Sequence, residues 1–440
     1  MRLEFQPLDK AFFAGTRAPW ASFAPVWRLE YRGPLTREQL ERALAWTLAR
    51  YPSCHARVVA LDGDFEKARR FAWEIPDPLP APALVVAEND SGLFDRFIDL
   101  QREAPFLCTW VPSATGGTIA LQQHHSLADG RAFLALISDL VRCLGASTSP
   151  LDGATVTRLP ERDAVGKGTF RGFLAFVAEL LRSIFRPLKP LRSNVGADYS
   201  GGNRTRHVFL PATRLDHWRQ AREHTGLSTN DLLAGALCAA LTRWSARRGH
   251  PAGEHNLFMP IDVRPRDRAF DSFANHLSSI QLRWRGRTDA NPLSLARELH
   301  AAAEPMLAAR LPWLRAPFDG LLMRLSPIHV LRKALLDTRK LLTNYSFSNL
   351  IPLGVPGAQA DQRWHFGEAV VERLLITTPC TPPQAANTTV IRYGDSLCFN
   401  FNFKESALSA AEVDELAGAF LSCLDELDEL LKTAPASPRG

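Results

Sequence analysis

An α/β (α+β) protein of two packed halves is what the sequence predicts, and three observations predict it. Short apolar alternating runs of strand character recur between longer runs with helical periodicity, the alternation expected of sheets flanked by helices. The chain has 440 residues, too many for one compact core of ordinary size. Between Gly145 and Arg204 the periodic pattern weakens and Gly, Pro and Ser accumulate, so a boundary falls near residue 200 and gives halves 1–200 and 201–440.

The elements follow in order. Ala24 to Tyr31 alternates as a strand until Gly33-Pro34 breaks it, and Thr36 with Gln39 forms the capping box of a helix whose buried face is Leu40, Leu44 and Leu48. His55 to Leu61, Leu84 to Val86 and Thr118 to Gln123 are further strands. The last of these leads through a turn into the helical run Arg131 to Leu144. In the second half, His207 to Leu210 is a strand, and Ser228 or Thr229 caps a long apolar helix. Leu257 to Pro265 is a strand carrying Arg264, and Ala410 to Leu431 is the terminal helix.

The stretch that carries chemistry is His124-His125-Ser126-Leu127-Ala128-Asp129-Gly130, at the end of a strand and the start of a helix, where α/β proteins often place reactive groups. A neutral imidazole can take a proton near pH 7, and a carboxylate nearby can hold the turn in shape. A metal site is the competing reading. It needs three or four ligands, usually with a helical HExxH-type pair, and consecutive strand residues point to opposite faces. No metal is therefore expected, and one histidine of the two is expected to act as a base. Arg264, an arginine in an apolar strand, needs an anionic partner, and Asp129 is the candidate.

Composition removes several classes. Hydrophobic residues at 46% and charged residues at 22% describe a folded chain. The net charge of +6 is spread in single residues and pairs, without the basic block of a nucleic-acid arm. A mild positive field would suit an anionic partner such as a coenzyme A phosphate or an acidic carrier protein. Seven scattered cysteines without a CxxC, and the absence of a signal-peptide pattern or an apolar span of membrane length, point to reduced thiols in a cytoplasmic protein. The amphipathic helix within 170–188 is expected in the core, and the stretch at 311–342, such as Leu321-Leu322-Met323-Arg324-Leu325, is read equally as core helices or as a surface for a long-chain or lipid substrate. Peripheral contact with a membrane surface is the second reading.

On these residues the chain resembles the chloramphenicol acetyltransferase-like acyltransferases, which include peptide-synthetase condensation domains and wax ester synthase/diacylglycerol acyltransferases. The HHxxxDG heptapeptide carries most of the likeness. Pro7-Leu8-Asp9, Ile98-Asp99-Leu100 with Ala104-Pro105, Asn230-Asp231-Leu232-Leu233-Ala234, Met259 to Pro265 and Ala274-Asn275 support it. The likeness implies two similar subdomains in a V, each a mixed sheet flanked by helices, with a tunnel between them. It also implies a catalytic His125 facing that tunnel, and His124, Asp129, Gly130 and Arg264 supporting the catalytic loop, Asp129 paired with Arg264 across the halves. Three departures stand out: there is no DFGWG element, and Tyr345-Ser346-Phe347-Ser348-Asn349 lies where a related loop would be. Cys54-His55 replaces a usual Leu-Arg, and Ala274 replaces a common glycine. Asn230-Asp231 tilts the branch toward the wax ester synthase group.

The expected activity is transfer of an acyl group from a thioester to a hydroxyl or amine of a small-molecule or lipid acceptor. Acyl-CoA or an acyl-carrier protein acting in trans is the donor, so coenzyme A or a phosphopantetheine thioester is a co-substrate, and no cofactor stays bound. With no adenylation or carrier segment in the sequence, a free-standing enzyme is expected. His125 is the general base, Gly130 permits a tight turn and close approach of substrate, and Asn275, Asn344, Ser346 or backbone amides near Gly130 are oxyanion or substrate contacts. A non-catalytic docking or lipid-binding module on the same fold is the competing function. A metal-dependent hydrolase is a third.

Overall fold

The protein is described from a computed structural model covering residues 1–16, 22–89, 92, 96–151, 154–156, parts of 170–178, 188–194, 198–250, 252–264, 272–335, 343–351 and 354–433. Its N-terminal part runs β1 (Arg2–Glu4), α1 (Pro7–Gly15), β2 (Val26–Arg32), α2 (Arg37–Arg50), β3 (Arg57–Ala60), β4 (Phe71–Glu74), β5 (Leu84–Val86), β6 (Phe106–Ser113), β7 (Gly116–Gln123) and α3 (Gly130–Leu144). There follow β8 (Asn203–Pro211), α4 (Thr213–Thr225), α5 (Thr229–Ala246), β9 (Glu254–Asp262), β10 (Leu277–Arg285), α6 (Pro292–Ala308), α7 (Leu311–Leu325) and α8 (Ile328–Leu335). The chain closes with β11 (Tyr345–Asn349), β12 (His365–Phe366), β13 (Ala369–Thr377), β14 (Ala386–Tyr393), β15 (Ser396–Lys404) and α9 (Ala410–Thr433). The amphipathic stretch at 170–188 falls mostly outside the described residues.

Two six-stranded mixed sheets organise these elements, in the orders β12-β13-β2-β7-β6-β5 and β10-β9-β11-β14-β15-β8, beside a small sheet β1-β4-β3. In the first sheet β2, β6, β7 and β13 pair antiparallel and β5 is parallel to β6. In the second, β11 runs parallel to both β9 and β14. Tyr345 to Asn349 is thus a central strand; its Tyr345 and Phe347 are buried, and the loop expected there is corrected.

Each sheet has its own core. Helices α2 and α3 pack on the first and α5, α6 and α9 on the second. The capping expectations hold: Thr36 Oγ1 accepts from Gln39 N, and Ser228 Oγ accepts from Asp231 N. Helix α5 is buried on nearly every side, so it has no polar stripe.

A cut at residue 200 divides the chain more cleanly than it divides the sheets. Strands β12 and β13 leave the second half and extend the first sheet, β13 pairing along β2 from Val370–Arg32 to Thr377–Val26. Helices α7 and α8 also cross over to pack against α1. Lys10 Nζ on α1 donates to the carbonyls of Arg69, Met323 and Ser326 at 2.6, 2.8 and 2.6 Å, which fastens the end of α7. Burial lowers that ammonium's pKa to about 8. The second half is therefore laced to the first by the strands and helices it contributes on the sides of the cavity between them.

Candidate active site

Strand β7 ends at Gln123, and a turn closed by Leu127 N donating to His124 O at 2.9 Å sends the chain into α3. Alternation at the strand end sends the two imidazoles in different directions. His124 is fully buried. Ser126 N–H donates to its Nδ1 at 3.2 Å, so its proton is on Nε2, which faces Thr16 Oγ1 at 2.9 Å; Thr16 in turn donates to Phe12 O. Both ring nitrogens are in use, and burial first, then the neighbouring His125, lower its pKa to about 3. His124 is a buried strut, neutral near pH 7, that ties the turn to α1.

His125 opens onto a cavity of about 660 Å³ between the halves, lined by Phe12 and Gly130 from one side and by Phe258, Ser346 and Thr389 from the other. Its ring stacks on Phe12 with centroids 4.0 Å apart. The partner that decides its chemistry is Asn275. The Asn275 amide nitrogen donates to Asp9 Oδ1 at 3.1 Å and to the His125 carbonyl at 2.8 Å, two groups that only accept. Its oxygen must then face His125 Nδ1, 3.2 Å away, and accept a proton from it. A neutral His125 therefore keeps its lone pair on Nε2. Burial lowers the His125 pKa; the charge of Asp129 and the bond to Asn275 oppose the shift without cancelling it.

Asp129 caps α3 through Ala132 N at 3.1 Å and accepts from His276 N at 2.8 Å. Arg264, two residues past the end of β9, reaches it with Nη1 at 2.8 Å, the pairing expected from sequence. Burial alone would raise the Asp129 pKa. Arg264 and the two backbone donors outweigh it and hold the carboxyl below its usual range. Arg264 Nη1 also contacts Asp262 at 3.3 Å, and Asp262 pairs with Arg131 of α3 at 2.6 Å. The charges alternate in sign along Asp129, Arg264, Asp262 and Arg131, the outer two from the first half and the inner two from the second, so the turn is clamped by an ion-pair network and not by one bridge.

Several expectations need correction. Asn275 is no oxyanion donor, because both its amide hydrogens are taken; it positions His125 instead. Asn344 lies fully buried, bonded to Lys189 O, Asn194 and the amide of Asn256, and serves the second core. Ser346 lines the cavity, with its hydroxyl donating to Gln384 Oε1 at 2.7 Å. Gly130 takes no positive φ, so the turn does not need glycine. An added Cβ would meet Trp27 and Leu350 at 3.7 Å, ordinary contact at the cavity wall, so its smallness serves space alone.

Sequence reasoning missed the roles of Asp9, Phe12 and Arg131. Asp9 had a signal: it closes a capping box with Gln6 at the start of α1, which fixes where its other oxygen points. Phe12 and Arg131 had none. Among the described residues no group of three His, Cys, Asp or Glu could hold a metal ion, and no helix is long and apolar enough to cross a membrane. All seven cysteines are buried as free thiols.

No protein-family model matches the sequence. An uncharacterized protein of Mycobacterium tuberculosis is 24% identical over 294 residues, covering 63% of this chain and 66% of that relative, just under two thirds of its length. A protein of the same species named as a putative diacylglycerol O-acyltransferase is 24% identical over 356 residues, 74% of each chain. Among solved structures, a trichothecene 15-O-acetyltransferase of Fusarium sporotrichioides superposes with a TM-score of 0.70 at 13% identity, over 97% of this chain and 95% of that one. The condensation domain of a monacolin K polyketide synthase does so with 0.68 at 12%, over 99% and 98%. Along nearly its whole length the chain thus shares the fold of these condensation domains and of this acetyltransferase.

Proposed function

We propose that the protein transfers an acyl group from a thioester, carried by coenzyme A or by a phosphopantetheine arm of a carrier protein, to a hydroxyl or amine. The observation that carries this reading is the Asp9–Asn275–His125 chain, which leaves a neutral imidazole with its Nε2 lone pair in a cavity walled by both halves. A thioester is already activated, so the protein has to align two substrates and move one proton. Nε2 takes the proton from the acceptor as its oxygen or nitrogen bonds to the thioester carbonyl carbon. The tetrahedral intermediate collapses with cleavage of the C–S bond, and the imidazolium returns the proton to the departing thiolate.

The negative charge on the carbonyl oxygen develops beside the first turn of α3, where the Gly130 N–H and the helix dipole favour an anion. Asp129 stays out of this step, since its oxygens are committed to Arg264, His276 and Ala132. The relative named as a diacylglycerol acyltransferase and the acetyltransferase of like fold support acyl transfer as the reaction class.

Thiol release from a panel of acyl-CoA and acyl-phosphopantetheine donors, with pooled alcohols and amines, tests the reading. Acceptor-dependent thiol release with formation of an ester or amide is expected. Binding of donors without thiol release under any acceptor would make the protein a docking or lipid-binding module.

A further inference from the structure

The cavity that holds His125 carries one pair of charges that the reaction does not use. Of its ionisable side chains, His125 is the base, Asp129, Arg264, Asp262 and Arg131 form the ion-pair network, and His276 bonds Ser272 through Nε2. Arg315 and Asp319 of α7 remain. Four residues apart, they share one face of the helix, and Gly320 and Met323 beside them also line the cavity. The bonds from Lys10 to Met323 O and Ser326 O hold this wall against α1.

Arg315 Nε donates to Asp319 Oδ2 at 3.2 Å. The other carboxylate oxygen, Oδ1, has no hydrogen-bond partner among the described residues, and 37% of the side chain is exposed. An ionised carboxylate can accept several hydrogen bonds, so one leaves it under-satisfied where the adjoining wall, Leu8, Ala11 and Phe12 of α1, is apolar. Burial raises the Asp319 pKa; Arg315 opposes the shift without cancelling it. Phe12 of the same wall stacks on His125, so the pair and the base open onto one space. A hydrogen-bond donor brought in by a substrate would complete the carboxylate. Arg315 already balances its charge, so a neutral hydroxyl fits there better than a second cation. The arm of a thioester donor carries phosphate, which an open carboxylate oxygen disfavours, whereas the acceptor is a hydroxyl or amine compound.

We propose that Asp319 selects the acceptor: its outward oxygen takes a hydrogen bond from a hydroxyl that the acceptor carries besides the group that is acylated. The assignment rests on the acyl-transfer reading above. It makes polyhydroxylated acceptors the preferred class.

Steady-state kinetics with acetyl-CoA and palmitoyl-CoA test it, using α,ω-alkanediols of about four to twelve carbons, each against its mono-methyl ether. The ether keeps the second oxygen and loses only the hydrogen it could donate. At the best-fitting length, wild type is expected to favour the diol about tenfold in kcat/KM. In Asp319→Asn, an isosteric change, Arg315 keeps the amide oxygen and the NH2 group faces the cavity, so the ratio should fall to about one or reverse. Melting temperatures control for folding. Equal use of diol and ether by wild type at every length, or the same ratio in the variant, overturns the assignment and leaves the reaction standing. A raised KM for the acyl-CoA with an unchanged ratio also overturns it, because the carboxylate would then lie on the donor's path. If no acceptor of any class supports thiol release, the acyl-transfer reading falls. Calorimetric binding of the same diol and ether pairs then decides Asp319 separately: tighter binding of diols by wild type but not by Asp319→Asn supports it, and equal binding overturns it.

Discussion

His125→Ala is expected to lower the rate of acyl transfer by about 10² to 10⁴-fold, the range a positioned general base contributes. The melting temperature should change little. The imidazole makes one hydrogen bond, to Asn275, and a stack on Phe12, and it faces a cavity that water can enter, so its truncation costs on the order of 1 kcal/mol. The backbone around it is held independently by Phe23 O and by the Asn275 amide, at 2.6 and 2.8 Å, so the turn keeps its place without the ring. Single-turnover thiol release, with circular dichroism on the same samples, checks both halves of the expectation. Full transfer by the variant with the true substrates would remove His125 from the reaction.

Asp129→Ala and Arg264→Ala are expected to cost stability as well as activity, about 3–5 kcal/mol each, because either change strands the other charge in a buried site. Asp129→Ala carries an added loss, about 1 kcal/mol, for the cap on α3. Arg264→Ala leaves Asp129 with two backbone donors, whereas Asp129→Ala leaves Arg264 with Asp262 and the Ala274 carbonyl. Urea unfolding of the two single variants and the double variant gives the coupling. The double variant should be clearly more stable than the sum of the singles implies; additivity to within about 0.5 kcal/mol would show that the pair does not act as one unit.

The residues that the sequence made legible are those whose neighbours in the chain explain them. The heptapeptide sits on a strand, turn and helix, so the direction of each histidine follows from local geometry. Arg264 announces a buried cation and Asp129 an anion, and the two pair, although the second partner, Asp262, was not foreseen. Capping at Thr36 and Ser228 is equally local.

What stayed hidden depends on contacts between distant segments. Nothing local to β13 says that it joins a sheet begun more than 300 residues earlier, at β2. Nor does local pattern separate Asn275 from Asn344, both buried amides: which one reaches His125 is decided by Asp9, supplied by α1. Tyr345 to Asn349 was hidden for a related reason: the resemblance put a loop there, and only β9 and β14 on either side make the run a central strand.

The central claim is that His125 is neutral, protonated on Nδ1 and free on Nε2. Its folded-state pKa lies below the ordinary 6.5, so as pH falls from 7 the ring stays neutral through that value and charges only beyond it. Nitrogen-15 NMR of histidine-labelled protein, with His125→Ala to assign the signal, reads both the tautomer and the titration. The account predicts the Nδ1–H form at pH 7 and an inflection below 6.5. An Nε2–H form, or an inflection above 6.5, would contradict it.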